Sequence, residues 1–368
     1  MDERITKFAK LLVDYSVNVQ PGDRVWIEAT TAAEPAVREV FQRVLERGGH
    51  PHVLLTFQEQ EELYLTYANG EQLDEVPPFA KLAAEQFETR IRFYSETNTR
   101  MLSGVDITKS GRRQKAMSQI QQVVMRRGAD GSMRWLSSLY PTEAYAMEAE
   151  MSLRAYEDFV YRACHVDETT PDPVAYWQGV GAEQAKRIAR IEGHDQVTLH
   201  GPDVDLMLSI KDRKFMNSCG RHNIPDGEIY TGPVETSVNG WVRFSYPAIY
   251  GGRVVEGVEL KFEKGRVVKA TARKNQAFLH EMLASDAGAG YVGEFAIGTN
   301  FEIDRFTQNI LFDEKIGGTF HMALGAGYPE TGSTNKSAIH WDMICDLRKD
   351  SEIQVDGELF YQNGKFMD

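Results

Sequence analysis

Residues 24–57, RVWIEATTAAEPAVREVFQRVLERGGHPHVLLTF, decide the fold class. The run RVWIEA is rich in β-branched and aromatic side chains and reads as a short strand. Glu34-Pro35 then opens a helix, because proline is tolerated in a first turn, and Val37, Val40, Phe41, Val44 and Leu45 are expected on its buried face. Gly48-Gly49 ends the helix, and HVLLTF forms a second strand. Strand, helix and strand in that order make a crossover unit, which requires parallel strands joined with a right-handed connection.

The same alternation extends in both directions. Upstream, residues 3–19 place Ile5, Phe8, Leu11, Leu12, Tyr15 and Val19 at helical spacing, and Pro21-Gly22-Asp23 stops that helix. Downstream come a helix near residues 78–87, the strand RIRFYS, a helix over 112–126 and the strand MRWLSSL. The first half is therefore an α/β domain with a mostly parallel sheet. Its strand-to-helix turns carry neither G-x-G-x-x-G nor a Walker-type lysine loop, so nothing marks a nucleotide site. Residues 141–190 read as helices bent at Thr170-Pro171-Asp172-Pro173, with Tyr145, Met147, Met151, Tyr156, Phe159 and Tyr161 as core and interface filling rather than a cofactor box.

Near residue 192 the texture changes. DQVTLHGPDVDLMLSI, WVRFSYPAIY, VVEGVELKF and VVKATARKN are β-like segments in series, Glu263-Lys264-Gly265-Arg266 is a hairpin turn, and SEIQVDGELFYQNGKF closes as a hairpin with Asp356-Gly357 at its tip. One clear helix spans residues 276–284. The expected division is an N-terminal α/β domain over residues 1–191 and a β-rich α+β domain over 192–368, and a chain of 368 residues favours two cores over one.

Composition narrows the function. No apolar run is long enough to span a bilayer and the first residues lack a signal-peptide profile, so the expected location is cytoplasmic. The net charge of −13 argues against nucleic acid or an anionic membrane as partner. Three widely spaced cysteines, Cys164, Cys219 and Cys345, suit reduced thiols and offer no paired zinc-thiolate spacing.

The chemistry concentrates in GGTFHMALGAGYPETGSTNKSAIHWDMICDL, residues 317–347. Read as a strand, SAIHWDMICDL puts His340 and Asp342 on one face and Trp341 on the other. His321 lies in a second β-like run, TFHMALG, which the intervening turn can bring alongside. A histidine and an aspartate so placed can be a hydrogen-bonded core pair or metal ligands. Three further acids stand in unusual places. Glu228 follows the Pro-Asp-Gly turn in NIPDGEIYTGP, and Glu294 is the only charge in AGAGYVGEFAIGTN, where an unpaired carboxylate would be costly. Glu314, in LFDEKIGGTFH, stands beside Asp313 and Lys315 and is equally readable as an ordinary surface turn. Together Glu228, Glu294, Glu314, His321, His340 and Asp342 exceed the three protein ligands of a mononuclear catalytic zinc site and suit two cations sharing a carboxylate. The lack of thiolates points to zinc, cobalt or manganese.

The segments PDGEIYTGPVETSVNG, YVGEFAIGTN, DEKIGGTFHMALG and SAIHWDMICDL, in this order, resemble the aminopeptidase T / aminopeptidase S family of metallopeptidases, as does the N-terminal pattern from LLVDYSVNVQPGDRVWIEA to RVLERGGHPHVLL. The resemblance covers nearly the whole chain. It implies an N-terminal α/β domain and a metal-bearing C-terminal domain, assembled as a homodimer with enclosed active sites. It makes Glu228, Glu294, His321, His340 and Asp342 metal ligands, with Glu294 bridging, and Tyr328 a catalytic or transition-state-stabilising hydroxyl. Glu314 stands further upstream of His321 than the corresponding acid of the family, with Gly317-Gly318 inserted, and the segment between His321 and His340 is shorter. The expected activity is removal of residues from the free amino end of peptides by a two-metal site and an activated water. Glu294 would accept the proton of that water and Tyr328 would hydrogen-bond the oxyanion. A peptide-binding protein that kept the fold without turnover, and an amide hydrolase accepting blocked substrates, are the alternatives.

Overall fold

The structure is a computed structural model that describes residues 2–367. Helix α1 (Glu3–Lys10), capped by the Asp2 carboxylate on the Arg4 amide, runs on through a π-helical turn over Leu11–Ser16. The decisive unit follows as read: β1 (Arg24–Thr30), α2 (Glu34–Glu46) and β2 (His50–Thr56), with β1 and β2 parallel from Arg24 opposite His50 to Thr30 opposite Thr56. Two short helices that the sequence pattern did not suggest come next, α3 (Gln60–Tyr67) and α4 (Gly70–Asp74). Then follow α5 (Pro78–Gln86), β3 (Thr89–Tyr94), α6 (Ile107–Ala129), β4 (Arg134–Leu139), α7 (Glu143–Glu148), α8 (Leu153–Ala163) and α9 (Pro173–Ala189).

The remainder is mostly strand: β5 (Gln196–Gly201), β6 (Val204–Ser209), β7 (Met216–Ser218), β8 (Asn223–Ile224), β9 (Glu228–Thr231), β10 (Asn239–Arg243), β11 (Ala248–Tyr250), β12 (Arg253–Val255), β13 (Glu259–Glu263) and β14 (Arg266–Thr271). After α10 (Gln276–Leu283) come β15 (Val292–Gly298), the single turn α11 (Ile310–Asp313), β16 (Thr319–Gly325), β17 (His340–Asp346), β18 (Glu352–Val355), β19 (Glu358–Gln362) and β20 (Lys365–Phe366).

The chain forms two compact units. The first runs to Tyr176 and takes back Gly220–Pro225; the second comprises Trp177–Cys219 and the chain from Asp226 onward. In the first, an all-parallel sheet in the order β2-β1-β3-β4-β8 is covered by helices. Trp26 packs there with Ala80, Ala83 and Ala84 of α5 and Ile120 and Val124 of α6. This is the α/β architecture expected of the N-terminal half.

In the second unit, an eight-stranded antiparallel sheet (β14-β13-β10-β6-β5-β18-β19-β20) and a five-stranded one (β17-β16-β15-β9-β7) share one apolar core. Leu199, Leu206, Val242 and Leu260 enter it from the larger sheet, and Phe295, Phe320, Met322, Trp341 and Met343 from the smaller. Burial of side chains this size contributes roughly 1.5–3 kcal/mol each, so the five-stranded sheet is a rigid base for whatever its other face carries.

Candidate metal centre

That other face is built by strand alternation. In β16, Phe320, Met322 and Leu324 point to the core, which sends His321, Ala323 and Gly325 the opposite way. In β17 the core takes Trp341, Met343 and Cys345, leaving His340 and Asp342 beside them. In β15 it takes Phe295 and Ile297, leaving Glu294, Ala296 and Gly298. The register shifts between Val292 and Glu294, a bulge that re-aims the Glu294 carboxylate. Cross-strand pairing then brings the acids and imidazoles together: Glu228 is opposite Gly298, His321 opposite Ala296, and Ala323 lies between Glu294 and Asp342. Alanine and glycine at these positions leave the space that the ionisable groups fill. Glu314 caps the C-terminal end of α11.

All six residues singled out as ligands converge. Three groups of donor atoms lie within 4.8 Å of one another: Glu228, Glu294 and His321; Glu294, His340 and Asp342; Glu314, His321 and Asp342. The two oxygens of Glu294 divide between the histidines, Oε1 lying 3.6 Å from His321 Nε2 and Oε2 lying 3.2 Å from His340 Nε2. His321 Nε2 is also 3.4 Å from Glu228 Oε2, and His340 Nε2 is 3.4 Å from Asp342 Oδ1. Nδ1 of His340 donates to the Ala326 carbonyl at 2.8 Å, which aims Nε2 at the cluster; a cation held there would take the Nε2 lone pair in place of the proton that Glu294 and Asp342 otherwise keep on it.

The charges are unbalanced. Burial pushes Glu228 up to about 8, and Lys315 only partly counters it. Burial likewise raises Glu314. For Glu294 burial is outweighed by hydrogen bonds from His321 and His340, and its carboxyl falls below the usual range. For Asp342 burial is outweighed by His340, and its pKa drops to about 2. The imidazoles move oppositely: burial disfavours their charged form, yet Glu294 lifts His321 to about 9 and Asp342 lifts His340 to about 12. The upward shifts of Glu228, Glu314, His321 and His340 each favour binding of positive charge at this place, and the downward shifts of Glu294 and Asp342 keep those two carboxylates ionised beside it. Moreover, Glu228 Oε2 and Asp342 Oδ1 are buried and accept no well-formed hydrogen bond among the described residues. Hard oxygen donors, imidazole nitrogens and no thiolate form a set that fits a divalent cation.

Tyr328 stands at the edge of this face, its ring 5.2 Å from the His340 ring and 5.3 Å from that of Tyr230. Burial, then the charges of Glu294 and Asp342, hold its hydroxyl well above the usual phenol range. The segment leading from Tyr328 to His340 is clamped by two acids. Glu235 accepts from the Ser333 and Thr334 hydroxyls and the Thr334 amide while paired to Arg213; Asp286 accepts from the Ser337 hydroxyl and the Ala338 amide. Gly325, at φ +100°, is required where β16 ends, since a Cβ there would sit 2.2 Å from the Ile339 carbonyl.

Sequence reasoning missed Lys315 and Asp313. Both are buried, Lys315 completely, and Lys315 is ion-paired to Glu314. Their charges suggested a surface turn; the apolar neighbours Leu311, Phe312 and Ile316 were the available signal. Tyr230, which shares the face with Glu228 and Glu294 and is opposite Ala296, was also passed over.

A family described as thermophilic metalloprotease (M29) matches residues 1–366. Aminopeptidase 2 of Geobacillus stearothermophilus is 27% identical over 97% of this chain and 94% of its own. Aminopeptidase AmpS of Bacillus subtilis is 26% identical over 96% and 92%, and aminopeptidase T of Thermus thermophilus 25% identical over 98% and 95%. Among solved structures, wild-type AmpT from Thermus thermophilus superposes with a TM-score of 0.86 at 23% identity, covering 99% of each chain. The 2,5-dihydroxypyridine dioxygenase of Pseudomonas putida KT2440 shares the fold at a TM-score of 0.60 and 12% identity, covering 99% of this chain and 96% of its own. One architecture thus hosts different chemistries, and the site has to carry the functional argument.

Proposed function

Since the chain belongs to the thermophilic metalloprotease (M29) family, we propose that it is a metal-dependent aminopeptidase that hydrolyses the N-terminal peptide bond of peptides, with Glu228, Glu294, Glu314, His321, His340 and Asp342 holding two divalent cations. The observation that carries this reading is the division of the Glu294 oxygens between His321 and His340, the geometry of a shared ligand. Charge supports it: four carboxylates and the Lys315 ammonium sum to −3 with neutral imidazoles, which one divalent cation leaves negative and two overturn.

The bound cations would supply a Lewis acid for the scissile carbonyl and lower the pKa of a water molecule. The protein groups do the rest. A bound cation would offer a Lewis-acid position to the lone pair of a free terminal amine, which an acylated nitrogen lacks. Each carboxylate oxygen has two lone pairs, so Glu294 can serve both clusters and still accept the proton of the attacking water. The Tyr328 hydroxyl stays protonated and donates to the developing oxyanion. The Ala326 carbonyl fixes the tautomer of His340. A homodimer is supported by edge strand β2, whose Val53, Leu54 and Leu55 are all more than a third exposed, a surface that monomers ordinarily blunt. Among the described residues no helix is long and apolar enough to cross a membrane.

The test is hydrolysis of free and N-acetylated dipeptides by protein loaded in turn with zinc, cobalt and manganese. Free dipeptides should be cleaved, blocked ones spared, and chelation should abolish turnover reversibly. Cleavage that survives complete chelation, or equal cleavage of blocked substrates, defeats the proposal.

A further inference from the structure

Lys315 is the only buried lysine among the described residues, at 0 % exposure, and it lies inside the proposed centre without being able to ligate. An ammonium so placed costs several kcal/mol of desolvation unless anions compensate it. Its partners are two proposed ligands. Nζ pairs with Glu314 Oε1 and lies 3.8 Å from Glu228 Oε1, while the other oxygen of Glu228, Oε2, is the one that faces His321 at 3.4 Å.

The backbone holds the lysine there. Its amide donates to the Phe312 carbonyl, and its carbonyl accepts from the Asn300 amide at 3.1 Å. Gly298 of β15, the residue opposite Glu228, approaches so closely that a Cβ would meet the Ile316 carbonyl at 2.2 Å and the Lys315 carbonyl carbon at 3.0 Å. The lysine is thus tied to the strand that carries Glu294, next to the start of the strand that carries Glu228.

Resting on the two-cation reading above, we propose that Lys315 is a positioning residue that engages one oxygen of Glu228 and one of Glu314, so that each carboxylate offers a cation only its other oxygen. Ammonium suits this task because it carries three donors and no acceptor. Without it, both carboxylates can close on a cation through two oxygens. The coordination number then rises, and the positions that water and substrate need are taken up.

The experiment uses full-length protein loaded with cobalt, whose visible absorption weakens as coordination rises from four or five ligands to six. Wild type and Lys315→Met are compared at equal bound cobalt, measured by elemental analysis after dialysis. Lys315→Met should keep its cobalt content with absorption at least about two-fold weaker, as expected for added oxygen ligands. Superimposable spectra at equal cobalt content overturn the role of Lys315 and leave the metal reading intact. Failure of the wild type to take up cobalt overturns both. Should Lys315→Met not fold, Glu314→Gln is compared with the Glu314→Gln, Lys315→Met double variant, which removes the pair at constant local charge. The double variant should again absorb more weakly, because Glu228 alone is released, and identical spectra reject the proposal.

Discussion

The parallel sheet and the five-stranded antiparallel sheet each gather polar side chains at one place, and the two gatherings differ in whether they satisfy themselves. At the carboxyl ends of β1 and β3, where open α/β sheets commonly bind ligands, the Thr30 amide donates to the Ser95 hydroxyl at 3.0 Å and the Thr30 hydroxyl donates to the Ser95 carbonyl at 2.8 Å. Gln58 donates to the Thr30 hydroxyl and accepts from Thr97. Among the described residues, Thr30, Ser95, Gln58 and Thr97 thus partner one another. In the antiparallel sheet, carboxylates outnumber donors, and buried oxygens of Glu228 and Asp342 lack well-formed hydrogen bonds among the described residues. The same fold class of inference would have favoured the first location; the chemistry favours the second.

Glu294→Gln cuts deepest into that contrast. The amide keeps the shape but loses the charge shared between the histidines, so turnover should fall by well over about 100-fold with metal content reduced, while the far-ultraviolet circular dichroism stays that of wild type. Near-normal rates would remove Glu294 from the site. Tyr328→Phe comes next. Deleting one donor to an oxyanion typically costs about 10²–10³ in kcat, and here KM and bound metal should hardly change; an effect confined to KM would make Tyr328 a substrate contact instead.

The parallel unit was legible because its helices are punctuated: Val37, Val40 and Val44 of α2 are buried as expected and Gly48-Gly49 closes the helix between parallel strands, although Phe41 and Leu45, expected on the same buried face, are exposed. Helix α3 was not, since among its residues only Leu65 is buried and no apolar stripe announces it. In the antiparallel sheet, alternation alone put His340 and Asp342 on one side, as found. What local pattern cannot carry is partnership across distance. The ion pair that buries Lys315 depends on Glu228, far away in sequence, and the bulge aiming Glu294 depends on pairing with β16. A charged triplet such as Asp313-Glu314-Lys315 therefore looks solvent-exposed until the sheet order is known.

The two units should also part company with pH. Burial pushes His165, stacked on Tyr176 in the first unit, down to about 4, against an ordinary value of 6.5. Between those values the unfolded chain binds a proton that the folded chain refuses, so stability is complete above pH 6.5 and declines as pH falls toward 4. The shift corresponds to about 3 kcal/mol. His165→Asn, which suits the left-handed backbone at φ 55°, should flatten that acid-side decline in denaturant midpoints relative to wild type. A variant that retains the full decline would assign it to other groups.

The smallest effect tests the self-satisfied cluster. Ser95 is fully buried, and Ser95→Ala leaves the Thr30 amide without its acceptor. An unmet buried donor costs about 1–3 kcal/mol, which a shift in urea midpoint at unchanged m-value would register. Because the bonds of Ser95 end on Thr30 and on no residue of the metal centre, kcat/KM on dipeptides should remain that of wild type. If Ser95→Ala instead altered peptide selectivity, the carboxyl ends of β1 and β3 would be part of the substrate site, and the distinction between satisfied and unsatisfied polar clusters would fail for this protein.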